Sequence, residues 1–250
     1  MTPELQATIE DAYRAFGRYR LDGALVVCNC NCCVSDENEQ RLIHTPLREI
    51  PYQLLTEYTD SAHGWDDEIV ANEMRYFLPR YFELIATNSS RFDMHIDDCL
   101  RRLAHARWRD TWPAAESEII DRFFQGLIVS SVQKLDLVEW PVGWRLKFDL
   151  VDVLTLIVTA QGDIGRALTA WDGAEDPEAA IHMAAVRERV SWSGERFSLH
   201  SAYLERDYVA EAEAIGAFLM RPDVTERIEA AFFRVEDPRL QQILSDALWA

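Results

Sequence analysis

Residues 221–249 read RPDVTERIEAAFFRVEDPRLQQILSDALW, and this stretch contains two helix starts in succession. Each start places a proline beside an acidic residue, at Pro222-Asp223 and at Asp237-Pro238. Proline is favoured in the first helical turn because the N–H that it lacks would have no helical partner there. After each start, apolar side chains recur every three or four positions, which is the spacing of a buried helix face. The stretch therefore predicts two amphipathic helices, one from position 222 and a final one over 239–249.

The same start signals and the same spacing recur along most of the chain, from Thr2-Pro3-Glu4 onward. They predict further helices over 3–20, 36–43, 51–62, 66–86, 93–109, 113–133, 147–161, 163–172 and 176–190. Pro79 lies inside the fourth of these helices. We expect a kink or a break there, because proline removes a hydrogen bond from a helix interior.

Signals for β-structure are few. Alternation of period two is scarce, and no Asn-Gly or Asp-Gly pair separates two apolar runs. In the part of the chain before the cysteines, only 24–27 reads as a short extended segment. We therefore predict an all-α fold, a compact multi-helix array of about ten helices, with helix-pair repeats as one arrangement. A chain of 250 residues can form a packed core without disulfides. We predict a single helical domain over 1–250, with 110–113 as the place of any subdivision.

The charge of the chain is strongly acidic. Asp and Glu number 43 against 25 Lys and Arg, which gives a net charge of −18. Such a field repels nucleic-acid phosphates and anionic membranes and favours basic protein partners. The densest basic run is interpreted as an ion-paired helix face; it comprises Arg101, Arg102, Arg107 and Arg109. No signal-peptide pattern and no membrane-length apolar run is found, so we expect a cytoplasmic protein that binds neither nucleic acid nor membrane.

Cysteines are concentrated in one short segment, VCNCNCCVS at 27–35. Cys30 and Cys33 have the C-x-x-C spacing that lets two thiolates reach one metal ion, and Cys28 adds a C-x-C pair. Thiolates suit zinc, copper(I) or an iron–sulfur cluster. The sequence therefore predicts a metal site whose ligands are Cys28, Cys30, Cys32 and Cys33, with zinc as the candidate cofactor.

Two other interpretations of this segment stay open. Ser35 is expected to cap a helix, whose N-terminus would lower the pKa of Cys32 or Cys33 and make it redox-active. Alternatively, the cysteines are small apolar side chains packed in a turn. Elsewhere, His95 and Cys99 would share one face of a helix, although no third ligand is apparent.

Several segments resemble an uncharacterised bacterial family of all-helical proteins that carries a C-x-C-C motif and TPLREL-like and FLPRxLEL-like segments. The matching segments are CNCC at 30–33, TPLREI at 45–50, Tyr58 with Ser61-Ala62, YFLPR at 76–80 with Glu83-Leu84, AAFF at 230–233 and LSDA at 244–247. The family has no established activity. The resemblance implies a helical fold and a cysteine turn that is typical of the family, and it implies no reaction.

Three functional hypotheses follow. The favoured one is a non-enzymatic, acidic, helical protein that binds a protein partner, as regulatory or toxin-neutralising proteins do. The alternative is a metal-binding or thiol-redox protein that uses the Cys28–Cys33 cluster. The third is a hydrolase or lyase with a carboxylate and histidine site over 93–98. Enzymatic activity is the less expected outcome, because the sequence contains no phosphate-binding loop, nucleophile elbow or H-E-x-x-H motif.

Overall fold

The computed structural model describes residues 1–21, 23–28, 30, 33–62, 67–87, 99–141, 143–194, 196–201 and 204–249. It is 67% helical, which confirms the predicted all-α fold. The helices are α1 (Pro3–Phe16), α2 (Asp36–His44), α3 (Tyr52–Asp60), α4 (Asp67–Thr87), α5 (Arg101–His105), α6 (Trp108–Thr111), α7 (Ala114–Ser131), α8 (Leu150–Thr159), α9 (Ile164–Asp172), α10 (Pro177–Arg187), α11 (Leu204–Asp207), α12 (Val209–Leu219), α13 (Pro222–Arg234) and α14 (Pro238–Trp249). A 3-10 turn covers Leu47–Glu49.

The chain divides into two compact units. Unit 1 comprises Met1–Phe123 and Thr159–Gly162, and unit 2 comprises Phe124–Val158 and Asp163–Ala250. The division falls inside α7. That the whole chain acts as a single domain stays a prediction, as does the arrangement in helix-pair repeats. Within the described residues, no helix is both long and apolar enough to cross a bilayer.

In unit 1, α1 packs against α4, and both helices bury an apolar face. The predicted start of α1 is confirmed, since the Thr2 hydroxyl accepts a hydrogen bond from the Leu5 N–H at 3.3 Å. Helix α4 continues through Pro79 without the break that we considered. Burial of Phe77, Phe82 and other side chains on both sides of the proline offsets its cost of about 3 kcal/mol.

The predicted helix over 93–109 is only partly tested, because 93–98 lie outside the described residues. Its remainder forms two short helices, α5 and α6, instead of one. Arg107 separates them with a φ of +49°, in the left-handed region that interrupts a right-handed helix.

In unit 2, α10, α13 and α14 pack against one another. Helices α13 and α14 begin at the prolines that the sequence indicated, Pro222 and Pro238. Helix α12 was not predicted. Its sequence, VAEAEAIGAFL, is rich in alanine and has apolar residues on most sides, so it lacks a clear amphipathic period.

Two short antiparallel hairpins lie in unit 2, where the sequence contains few signals for β-structure, and the fold is predominantly α-helical with them included. Strand β1 (Leu137–Trp140) pairs with β2 (Gly143–Leu146), and β3 (Val190–Ser193) pairs with β4 (Arg196–Leu199). Gly194 occupies the first turn position of the second hairpin with a φ of +70°. Glycine adopts such a φ without steric cost, so Gly194 provided a turn signal of the Gly-X type. This second hairpin was not predicted because only Asn-Gly and Asp-Gly pairs were considered as turn signals. The first hairpin has Pro-Val between its strands and carries no glycine signal of this type.

Candidate functional site

Three of the four predicted metal ligands lie together in unit 1. The sulfur atoms of Cys28, Cys30 and Cys33 all lie within 4.8 Å of one another. Cys28 Sγ is 2.9 Å from Cys30 Sγ, and Cys30 Sγ is 3.3 Å from Cys33 Sγ. All three residues are half-buried. We call these three side chains the thiol cluster; the fourth predicted ligand, Cys32, lies outside the described residues.

The thiol cluster stands on a segment that is neither helix nor strand, so the extended run predicted over 24–27 does not form a strand. A backbone hydrogen bond from the Cys33 N–H to the Cys30 carbonyl, at 3.2 Å, closes the turn between these two cysteines. The segment before the turn has no strand partner. Several of its backbone groups are bound instead by side chains of the surrounding elements, namely Glu39 of α2, Glu73 of α4, Arg102 of α5 and Ser61 at the C-terminal end of α3.

Val26 is held at both of its backbone groups by buried side chains. Its N–H donates to Glu73 Oε1 at 2.6 Å, and its carbonyl accepts from Arg102 Nη1 at 2.9 Å. Glu73 belongs to α4 and Arg102 to α5, and they are only 3% and 1% exposed. Buried acids and arginines are rare unless their polar atoms are bound. Two buried ionisable groups therefore take the backbone of this segment as their hydrogen-bond partner, and these bonds fix the position of the segment.

Cys28 is fixed by the same network through Ser61. The Cys28 N–H donates to Ser61 Oγ at 2.7 Å, and Arg102 Nη2 donates to the Ser61 carbonyl at 3.0 Å. The Arg102 guanidinium also donates to the Tyr58 carbonyl and lies 4.0 Å above the Tyr58 ring. One buried arginine thus connects the backbone just before the first cysteine to the end of α3.

Glu73 completes the buried network. Its Oε2 accepts from the Tyr58 hydroxyl at 2.7 Å. Burial raises the pKa of Glu73 above its usual value, and the bonds from Tyr58 and Val26 oppose that shift. Burial, together with the nearby Glu73 charge, raises the pKa of Tyr58 well above its usual value, so the hydroxyl keeps the proton that it donates.

Contact between the thiols themselves sets the electrostatics of the cluster. The hydrogen-bonding contact with Cys30 is the largest cause that raises the pKa of Cys28 above the usual thiol value. Three sulfurs within 4.8 Å would repel one another if all were ionised.

The expected N-cap of α2 is confirmed, since Ser35 Oγ accepts from the Asn38 N–H at 3.2 Å. The acids in the first turn of α2 oppose the positive potential of that helix end.

A pocket of about 350 Å³ adjoins the thiol cluster. Its lining consists of Cys33 and residues of α3 and its C-terminal end, namely Tyr52, Gln53, Thr56, Glu57, Asp60 and Ser61. Two of these side chains are carboxylates, and none of those named is cationic. Glu57 Oε2 accepts from Asn38 Nδ2 at 2.7 Å, which positions that carboxylate. The pocket therefore offers an acidic recess beside one of the three sulfurs.

Sequence reasoning identified the cysteines and missed the residues that position them. Arg102 was interpreted as part of an ion-paired helix face, and this is wrong, because it is buried and bound to three carbonyl groups. Arg109 does form an ion pair, with Asp121 at 2.6 Å. The roles of Glu73 and Ser61 left no signal in the sequence, because they bind backbone far away in the chain.

The other candidate site residues are not brought to the cluster. His95 and the carboxylates over 93–98 lie outside the described residues, so the predicted pairing of His95 with Cys99 and the hydrolase or lyase hypothesis stay predictions. Cys99 is buried and does not belong to the thiol cluster. Within the described part of the chain, the thiol cluster is the one group of three or more such side chains close enough to share a metal ion.

Comparison with protein-family models, curated proteins and solved structures finds no match to this chain. The resemblance to a bacterial helical family therefore stays a prediction. Fold and site together define the class of the protein: it is predominantly α-helical and carries a cluster of three half-buried cysteine thiols.

Proposed function

We propose that this protein binds a thiophilic metal ion, with zinc as the first candidate, through Cys28, Cys30 and Cys33. The observation that supports this function is that three sulfurs lie within 4.8 Å of one another, on a segment whose backbone is hydrogen-bonded to buried side chains. Sulfurs around a tetrahedral zinc ion, with Zn–S bonds of about 2.3 Å, lie about 3.8 Å apart. The separations of 2.9 and 3.3 Å thus require shifts of less than about 1 Å.

The chemistry of the donors supports the same function. Three thiols form a soft ligand set that prefers zinc, copper(I) or iron over magnesium or calcium. A bound cation would also remove the repulsion that opposes ionisation of neighbouring thiols. Zinc takes a fourth ligand, which would be Cys32 or a solvent molecule. Inert packing is less favoured, because the three thiols are half-buried whereas Cys99, outside the cluster, is buried.

Metal analysis of protein purified without chelator and without oxygen tests this function. We expect about one zinc ion per chain, and a thiolate-to-metal charge-transfer band after substitution with cobalt(II). The double variant Cys30→Ser, Cys33→Ser should lose both signals. Cys99→Ser is the matched control and should keep them. Absence of zinc, copper and iron from the wild-type protein, together with no binding of added zinc, would refute the proposal.

A second candidate function is binding of a basic protein partner by the acidic surface. It is supported by the net charge of −18 and by two exposed aromatic side chains in unit 2, Trp192 (60% exposed) and Phe233 (85% exposed). Capture of cellular proteins at low and at high salt tests it. Recovery of one basic protein that is lost at high salt and with Phe233→Ser supports this function, and recovery of none contradicts it.

A further inference from the structure

We propose that Cys33 and Cys30 form a thiol–disulfide exchange pair that reacts with small cationic disulfides bound in the pocket beside Cys33. The exchange would regulate the thiol cluster, because it consumes two of its three sulfurs. The release of metal by this reaction rests on the proposed metal-binding function. The exchange itself does not, since it needs only the thiols and the pocket.

The geometry of the two sulfurs favours this pair. Cys33 is among the residues that line the pocket, so a ligand held there lies against this cysteine. Cys30 Sγ is only 3.3 Å away and can attack a disulfide formed on Cys33. Two residues separate Cys30 from Cys33, which is the C-x-x-C spacing of disulfide oxidoreductases. Cys28 is less suited as the second thiol, because a single residue separates it from Cys30 and a bridge between them would be strained.

The charge of the pocket selects among disulfides. Glu57 and Asp60 line it, and among the described residues of its lining there is no lysine, arginine or histidine. Asp60 is exposed at the C-terminal end of α3. The net charge of −18 adds a field of the same sign. A disulfide whose ends are ammonium groups is therefore attracted, and a disulfide whose ends are carboxylates is repelled.

The reaction consists of two balanced steps. Cys33 loses its proton to solvent, and its thiolate attacks one sulfur of the bound disulfide, whose S–S bond breaks and releases one thiolate. The thiolate of Cys30 then attacks Cys33 Sγ and releases the second. In total, two protein thiols and one small disulfide give a Cys30–Cys33 disulfide and two small thiols. Two electrons pass from the protein to the ligand, and the two protons follow the released thiols.

The test compares three disulfides of similar length on metal-free wild-type protein at low ionic strength. These are cystamine, a dication; 2-hydroxyethyl disulfide, which is neutral; and 3,3′-dithiodipropionate, a dianion. Each rate is divided by the rate of the same disulfide with 2-mercaptoethanol, which removes intrinsic reactivity. We expect cystamine to react at least about tenfold faster than the dianion, and we expect physiological salt to reduce that ratio. Equal normalised rates would overturn the proposal.

Substitutions test whether the pocket causes the preference for cations and which two sulfurs react. Asp60→Asn should lower the preference for cystamine, whereas Glu4→Gln, an equal charge change on the exposed side of α1, should leave it unchanged. Cys30→Ser should accumulate a mixed disulfide on Cys33, and Cys33→Ser should react slowly. Peptide mapping of the oxidised wild-type protein should find Cys30 joined to Cys33. A bridge to Cys32 instead, or a Cys30→Ser variant that accumulates no adduct, contradicts the proposed pair.

The two proposals can fail separately. Zinc-loaded protein treated with cystamine should release its metal, as a zinc indicator reports, at the rate at which the Cys30–Cys33 disulfide forms. If the chain binds no metal but still exchanges with cystamine selectively, the proposed function is wrong and the exchange pair stands. If metal binds and the cationic preference is absent, the exchange proposal is wrong and the metal site stands.

Discussion

Replacement of Arg102 should show whether zinc affinity depends on how the cysteines are positioned, because it leaves all the cysteines in the chain. Arg102→Met leaves the carbonyls of Val26, Tyr58 and Ser61 without their donor, and each buried unpaired group costs about 1–3 kcal/mol. We expect a loss of stability of several kcal/mol and a zinc affinity reduced at least tenfold, because binding must then order the segment. Competition with a chromophoric chelator measures the affinity, and urea unfolding measures the stability.

Arg109→Met is the matched control for Arg102. Arg109 also belongs to unit 1, binds both carboxylate oxygens of Asp121 at 2.7 and 2.6 Å, and donates to the Gln161 carbonyl. Its loss should reduce stability without changing zinc affinity. Ser61→Ala removes the acceptor of the Cys28 N–H, together with the bond from the Ser61 hydroxyl to the Ala62 carbonyl, and serves if Arg102→Met does not fold. Equal zinc affinities for the wild-type protein, Arg102→Met and Ser61→Ala would show that these side chains do not position the cluster.

His182 should make unit 2 sensitive to acid. The residue is fully buried, and its Nε2 donates to the Lys134 carbonyl at 3.0 Å. Burial lowers the pKa of His182 from 6.5 to about 4. Between these pH values the unfolded chain binds a proton that the folded chain does not, so stability falls as the pH falls. The free energy of unfolding should drop by up to about 3 kcal/mol, at 1.36 kcal/mol per pKa unit.

Urea unfolding at several pH values between 7 and 4.5 measures this loss of stability. His182→Leu cannot take up a proton and should show a shallower decline, although it is less stable at neutral pH. His200→Gln removes an exposed histidine of the same unit and should decline as the wild-type protein does. If the stability of His182→Leu falls with decreasing pH as steeply as that of the wild-type protein, groups other than His182 cause the loss of stability in acid.

For single residues, the sequence predicted that the cysteines lie close together, but it did not predict the side chains that surround them. The spacing of Cys28, Cys30 and Cys33 indicated a shared site, because residues two or three apart in a turn stay close whatever the fold. The partners of Val26 could not be predicted in the same way. Its carbonyl binds Arg102, 76 positions away, and only the packing of α4 and α5 brings these groups together.

Among the secondary-structure elements, helices with a start signal and a polar face were predicted. Elements that lack these features, such as α12 and the two hairpins, were not predicted. Helix α13 has both features, and its observed start at Pro222 is where the sequence placed it. Strands β3 (VSWS) and β4 (RFSL) do alternate apolar and polar residues, but each has only four residues, the shortest run in which alternation indicates a strand. Helix α12 contacts β4 on one side and α9, α10, α11 and α13 elsewhere, which explains why its sequence is apolar on most sides.

Gly216 lies where α12 comes close to the backbone of β4, and its replacement tests that contact. A Cβ at Gly216 would lie 2.7 Å from the carbonyl carbon of Phe197 and 2.8 Å from the backbone N of Ser198. Alanine gains about 1 kcal/mol in helix propensity, but the backbone of β4 would have to move, at a cost of about 1–3 kcal/mol. We expect Gly216→Ala to lower the thermal midpoint of unfolding.

Gly173→Ala is the control for Gly216. Its backbone has a φ of −72°, and an added Cβ would meet atoms only at ordinary contact distances of 3.6 Å or more. Alanine there should be neutral or stabilising, because it reduces the entropy of the unfolded chain. Scanning calorimetry compares the two variants. A midpoint for Gly216→Ala at or above that of Gly173→Ala would show that α12 does not depend on this close approach.

At the scale of the whole molecule, two electrostatic effects act in opposite directions on stability. Ion pairs such as Arg48–Glu10 at 2.6 Å and Arg221–Asp172 at 2.9 Å stabilise the fold, and the excess of 18 acidic charges opposes it. Dissolved salt screens both, but unequally. The screening length is about 8 Å at physiological ionic strength, so pairs in direct contact are screened little and repulsion between distant carboxylates is screened strongly.

Moderate salt should therefore stabilise this protein. We expect the thermal midpoint of unfolding to rise by a few degrees between about 10 mM and 150 mM sodium chloride, because self-repulsion of a highly charged chain opposes the compact state. The titration uses chloride because sulfate stabilises most proteins by exclusion from their surface, which would hide the effect of charge screening. A matched titration at a pH near the isoelectric point of about 4.7, where the net charge vanishes, should show a smaller rise. A midpoint that falls steadily with chloride at neutral pH would mean that the contact ion pairs, and not the excess of carboxylates, dominate the electrostatic free energy of the fold.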